Sequence, residues 1–160
     1  MECRVFEITL ISANNLEKIR RICKMKVYAT VSIGGGPPEN EKRTPTDRNG
    51  ESNPAWNFTV KYSINESMVQ HLNTMLVVKL FCRRLLRCDT YIGEVHTSLK
   101  ELFDYAESSG GSAILSLPVQ KGSVNSQGGM RFSYRFGEKV TIDKLLLAES
   151  AVGGWPVNQC

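Results

Sequence analysis

The feature that most limits what this chain can fold into is a succession of short segments in which apolar residues recur at every second position, each closed by turn-forming residues. In RVFEITLIS (4–12), Phe6, Ile8 and Leu10 fall on one face and Glu7 and Thr9 on the other, the period of a half-buried strand. VYATVSI (27–33) has the same character and stops at GGGPP, a turn or loop. KRTPT (42–46) is short and holds Pro45, which confines it to a sheet edge. AWNFTVKY (55–62) alternates Trp56, Phe58, Val60 and Tyr62, with Trp56 read as core. MLVVKLFC (75–82), YIGEVHTSL (91–99), SAILSLPV (112–119) and MRFSYRF (130–136) continue the rhythm. Only LKELFDYAE (99–107) changes period, with Leu99, Leu102, Phe103 and Ala106 at amphipathic-helix spacing; residues 64–72 offer one further helical turn. Eight short strands at even spacing predict an all-β, eight-stranded antiparallel sandwich with a short helical crossover. The strand pattern covers residues 1–137, and 138–160 reads as a flexible C-terminal tail.

A chain of 160 residues holds one domain with a sizeable core. Its net charge of +4 is concentrated: EKIRRICKMK (17–26) carries +4 and residues 82–89 carry +2, so the remaining 142 residues sum to −2. Local positive charge favours a specific anionic surface over general affinity for nucleic acid. The start MECRVFEITL lacks the layout of a secretory signal, and no apolar run approaches the ~20 residues that span a bilayer. The five cysteines are odd in number, irregularly spaced and without CxxC, and read as reduced thiols in the cytoplasm. The expected localisation is cytoplasmic with peripheral membrane contact.

Catalytic chemistry is hard to assemble here. The two histidines, His71 and His96, suggest no Ser-His-Asp or Cys-His arrangement, and His96 alternates within a strand as a solvent-facing structural residue. GGG at 34–36 precedes two prolines and opens no helix, so it is no phosphate cradle. Cys23, Cys82 and Cys88 could meet at one end of a sandwich, but their spacing matches no common zinc motif. The expectation is no enzyme activity, no cofactor and no metal.

The order of motifs is more specific than any one of them. SANNL follows the first strand, VYATVSI forms the second, and NPAWNF, LVVKLF and YIGEV precede a helical crossover. In that order the chain resembles a C2 domain, an eight-stranded antiparallel sandwich. MECR, ISANNL, KVYATVSIGG and FSYRFGEKV resemble, more narrowly, small single-C2 proteins of plants of the cold-regulated and copine-associated (bonzai-associated) type. That resemblance implies a plant setting in stress and defence signalling, with restraint of cell death. Calcium-binding members carry about five aspartates in the first and third loops, and oxygen donors of that kind suit Ca²⁺. The matching positions here are Arg20, Lys26, Cys82, Arg84 and Thr90. Asp89, beside the last of them, is expected to be neutralised by neighbouring arginines.

The loop CRRLLRCDTYIG then acquires a meaning. In one arrangement Arg20, Arg21, Lys24, Lys26, Arg83, Arg84 and Arg87 attract anionic phospholipid headgroups without calcium, while Leu85 and Leu86 enter the interface. In the other, the arginines form a solvated rim whose stems cover Leu85 and Leu86. An adaptor that binds a membrane-associated protein, such as a copine or a membrane oxidase, is the alternative function. Some relatives carry a lysine-rich groove where Lys42 and Arg43 stand, but Thr30 and Ser32 opposite make such a groove thin.

Overall fold

The computed structural model describes residues 2–20, 22–34, 40–71 and 73–141. Within these, the chain forms β1 (Glu2–Asn14), β2 (Val27–Ile33), β3 (Lys42–Arg43), β4 (Ala55–Asn65), α1 (Glu66–Gln70), β5 (Met75–Cys82), β6 (Thr90–Ser98), α2 (Leu99–Glu107), β7 (Ser112–Lys121), β8 (Val124–Phe136) and β9 (Val140–Thr141). The hydrogen-bonded order is β3-β2-β5-β6-β7-β8-β1-β4, all neighbours antiparallel, with β9 on β1. Between β6 and β7 the ladder narrows to one registered pair, Glu94↔Gln120. The path therefore divides into two four-stranded layers packed as a sandwich, as the alternating pattern predicts.

Alternation fills the space between the layers. Phe6, Ile8 and Leu10 of β1, Val27, Ala29 and Val31 of β2, Val78 and Leu80 of β5, and Met130 and Phe132 of β8 are all buried in one cluster. Burying each large side chain stabilises the fold by roughly 1.5–3 kcal/mol. Gly93 of the YIGEV segment lies at the seam, where a Cβ would come within 2.6 Å of Val119 Cγ1 and 2.9 Å of Gln120 O. Glycine lets the two layers close there. The crossover helix α2 is capped by Ser98, whose hydroxyl accepts from Lys100 and Glu101 N–H groups. It buries Leu99, Leu102 and Ala106, and the Tyr134 hydroxyl donates to Leu102 O at 2.8 Å. Burial pushes that phenol up to about 12.

β3 is only two residues long, so most of the β2 edge is left to other partners. The Trp56 indole N–H donates to Val27 O at 3.1 Å and the Tyr62 hydroxyl to Val31 O at 2.8 Å. Trp56 is partly buried against the core and holds the sheet edge as well. Two of the expected boundaries move. β8 begins at Val124, paired with Lys121 across a two-residue turn. At the other end, β9 pairs Val140 with Cys3 and Thr141 with Glu2, so strand pairing continues past residue 137. Residues 142–160 of the expected tail lie outside the described residues.

The NPAWN segment and SANNL are tied by backbone bonds. Ala13 N–H reaches Pro54 O, Leu16 N–H reaches Ser52 O, and Asn53 Oδ1 accepts from Asn15 N–H, each at 2.9 Å. Asp47 centres the next loop. Its Oδ1 accepts from Asn49 and Gly50 N–H groups at 2.8 and 3.0 Å, and its Oδ2 from Ala55 N–H at 2.7 Å. Its own backbone exchanges bonds with Val27 in both directions. Partial burial opposes charge on the carboxylate, but the three donors outweigh it and hold Asp47 below its usual range. Asp47→Ala removes all three bonds and is expected to cost about 2 kcal/mol in urea unfolding at neutral pH. Because the folded group has the lower pKa, the wild type should lose this advantage as pH falls through the carboxylate range, and the two unfolding curves should converge.

Candidate functional site

Three connections meet at one end of the sandwich: β1–β2, β3–β4 and β5–β6. Backbone contacts fix their relation. Arg83 N–H donates to Lys26 O at 2.8 Å, and Val27 is bridged to Asp47 in both directions. Arg20, Lys24 and Lys26 from the first connection, Arg48 from the second, and Arg83 and Leu85 from the third line one cleft of about 610 Å³. The structure thus brings together five of the nine expected site residues. Arg84, Leu86 and Arg87 lie on the same β5–β6 loop, while Arg21 is outside the described residues.

The apolar pair does not fold back under the arginines. Leu85 is 84% exposed and Leu86 97% exposed, which removes the solvated-rim arrangement in which charged stems cover them. Leu86 sits at φ 61°, in the left-handed region where a non-glycine residue is held against its preference. Ile22, inside the basic run RRICK, is 99% exposed. The charge of that run hides this apolar member, which no strand or helix period in the sequence marks. Arg48 was missed because it lies in a turn-rich segment away from both basic runs.

Asp89 has different partners from those expected. Its Oδ2 accepts from the Tyr28 hydroxyl at 2.5 Å and its Oδ1 from Arg84 N–H at 3.1 Å. A hydroxyl and a backbone N–H thus supply its hydrogen bonds, and the charge of the Arg43 guanidinium also acts on it. Tyr28 is fully buried but lies outside the cluster between the sheets; it is stacked on Phe81 at 5.5 Å and covered by the Arg43 guanidinium 3.7 Å above its ring. Burial first, and then the Asp89 carboxylate, push the Tyr28 phenol well up. Desolvation lowers Arg43, which also donates to Thr46 Oγ1. Arg43 is thereby committed to the fold, which leaves the groove beside Lys42 thinner still. On the same layer His96 is exposed and paired with Glu94 at 2.5 Å.

Cys3, Cys23 and Cys82 are free thiols, as expected of reduced cysteines. Among the described residues no group of three or more His, Cys, Asp or Glu side chains is placed to hold a metal ion. No helix among them is long and apolar enough to cross a membrane.

Comparison with known proteins fits this geometry to a family. The C2 domain family model matches residues 4–114. The chain belongs to the C2 domain family. It is 37% identical over 155 residues to Protein SRC2 of Glycine max, covering 96% of this chain and 53% of that protein. It is 30% identical over 141 residues to the Protein SRC2 homolog of Arabidopsis thaliana, covering 88% and 43%. The chain therefore spans about half the length of these relatives. Among solved structures, a C2 domain of plant Extended Synaptotagmin 1 superposes with a TM-score of 0.69 at 14% identity, over 86% of this chain and 96% of that one. Human GIVD cytosolic phospholipase A2 gives 0.65 at 15% identity, over 85% and 17%. At such identities the likeness establishes the fold.

The positions matched to calcium-binding aspartates do not fit that ion. Arg20, Lys26 and Arg84 supply cations, Thr90 a hydroxyl, and Cys82 a buried thiol whose hydrogen contact is Arg83 O at 3.8 Å. A hard dication needs six to eight oxygen donors, several of them charged.

If leucine at 86 serves the surface and not the fold, Leu86→Gly should leave stability within about 1 kcal/mol of wild type, because relief of left-handed strain offsets the added unfolded-state freedom. Thermal unfolding checks this, and a large loss would mean that Leu86 packs against the domain.

Proposed function

We propose that this end of the C2 sandwich attaches to anionic phospholipid membranes without calcium, and that the protein is a non-enzymatic peripheral adaptor of the plant cytoplasm in stress and defence signalling. The observation that carries the reading is the pair Leu85 and Leu86, 84% and 97% exposed amid Arg83, Arg84 and Arg87. A monomeric fold gains nothing from presenting both to water. A membrane interface accepts the leucines while its headgroups attract the cations. At about 1 kcal/mol per basic residue near such a surface, the cations of the two loops supply several kcal/mol before orientation costs. Permanent positive charge takes the place of the charge reversal that a bound dication would bring. The curated relatives are proteins of soybean and Arabidopsis, which supports the plant setting.

A second reading, docking on a membrane-associated protein such as a copine or membrane oxidase, draws on another surface. Ile114 is 56% exposed beside a hollow of about 330 Å³ that also meets Glu7, Thr9, Ser133 and Arg135. The two surfaces lie on different parts of the sandwich and are compatible.

Vesicle sedimentation separates these readings. Binding to anionic vesicles is expected to persist in EGTA, weaken with added salt, and fall roughly tenfold or more in the double variant Arg83→Glu, Arg84→Glu. Loss of binding in EGTA overturns calcium independence. Absence of binding to anionic vesicles in any condition overturns the membrane reading and leaves the protein-docking one.

A further inference from the structure

We infer that the chain pairs with a second copy of itself through β7, whose outer edge joins the same edge of the other copy in an antiparallel, two-fold arrangement, an inference independent of the membrane reading above. Residues 112–118 of β7 are registered to β8 on one side, and toward β6 only Gln120 finds a partner. From Ser112 to Leu117 the strand therefore turns a row of main-chain N–H and C=O groups to solvent, which is a template for another strand.

Natural sheets blunt such an edge with charge, proline, a kink or a covering element. The other long edges among the described residues carry these devices. β3 is two residues long and is followed by Pro45. β4 carries Lys61, kinks at Asn57 with φ 48°, and sends Trp56 and Tyr62 across to β2. β6 carries Glu94 and His96. On β7 the stretch SAILSL has no charge, and the proline and the register shift come after it, from Pro118 onward. Burial records the open edge. Phe132 and Tyr134 of β8 are buried, yet Leu115 and Ala113, registered to them on β7, are only partly so. Ile114, on the outer face, is 56% exposed.

The sequence of this edge suits its own copy. A two-fold axis at Ile114 sets Ile114 against Ile114, Ser112 against Ser116, and Ala113 against Leu115. Each match is favourable across an antiparallel pair: two β-branched side chains meet, two hydroxyls share a hydrogen bond, and a small side chain faces a large one. Charge does not oppose the pairing. β7 runs toward the end of the sandwich where β1 finishes, since Pro118 and Asn14 both register with Gly129. Reversal of the strand in the second copy therefore sets the two basic loop ends at opposite poles of the dimer, away from the contact. A foreign strand would find no charged group along SAILSL to be selected by, whereas the near-palindrome Ser-Ala-Ile-Leu-Ser selects its own copy.

The test is analytical ultracentrifugation of the full chain without lipid, over a range of concentrations. A strand-edge contact is smaller than a standard interface, so wild type is expected to pass from one chain to two in the micromolar range. Ile114→Lys, which opposes two ammonium groups at an exposed position, should weaken the dimer roughly tenfold or more and keep the wild-type melting temperature at dilutions where both are single chains. Register is read by mild oxidation in a Cys23→Ser background, which removes an exposed thiol. Ile114→Cys should cross-link well beyond the Cys23→Ser parent, because directly opposed strand residues lie near disulfide distance. Ser112→Cys, whose own copy lies about 13 Å along the other strand, should not. A single chain at every concentration overturns the second copy as occupant and leaves the edge to an extended segment of another protein. A dimer that survives Ile114→Lys overturns this edge, and cross-linking of Ser112→Cys in place of Ile114→Cys overturns the axis at Ile114. Vesicle binding by the loop end stands or falls separately.

Discussion

Two aspartates at the loop end of the sandwich, Asp47 and Asp89, direct their oxygens at the protein's own N–H and O–H groups, and the geometry of that end depends on it. Asp47 gathers three backbone N–H groups of the β3–β4 connection and, through its main chain, grips the first residue of β2. Asp89 holds the β5–β6 loop to Tyr28 of β2. Together with the Arg83 to Lys26 backbone bond, these contacts brace three connections against one strand. A carboxylate so engaged has its lone pairs directed inward, and most of the side chains left lining the cleft are cations. Bracing and outward positive charge are two results of one allocation of acids.

The outward charge does not endanger the fold, because its carriers are almost all on connections. The strands beneath bury mostly uncharged side chains, and Arg20 and Lys24 meet no carboxylate among the described residues. Arg43 shows the contrast: on a strand and nearly buried, its guanidinium is taken up by the Tyr28 ring and the Thr46 hydroxyl. Arg43 on the sheet is thus part of the structure, whereas Arg20 and Lys24 on the first connection line the cleft at the loop end.

The period of two makes strands legible wherever one face is buried, and β2, β5 and α2 begin and end where their patterns do. The start of β8 was not legible, since VNSQGG projects beyond the core and carries no apolar face to alternate. β9 escaped for a similar reason: two residues completing an edge of β1 carry too little pattern. At the site, the basic loops could be named from composition and motif register. Exposure of Leu85, Leu86 and Ile22 could not, because a leucine reads alike whether it packs inward or outward. Nor could the partners of Asp89, since the nearest charges in sequence were arginines while the nearest donors in space were a tyrosine from another strand and a main-chain N–H. Arg48 belongs to a turn whose only visible signal was its glycine and asparagine content.

The narrow seam between β6 and β7 has a mechanical meaning. Where β2 meets β5 seven registered pairs share any load along the strands, and where β5 meets β6 there are eight. At the seam a single pair does so. A pull on the loop end along the strand direction is therefore shared within each layer and concentrated between layers, where interdigitated side chains and not main-chain bonds resist sliding. Friction within the core, set by residues such as Phe6 and Phe132, would govern how the domain yields under tension.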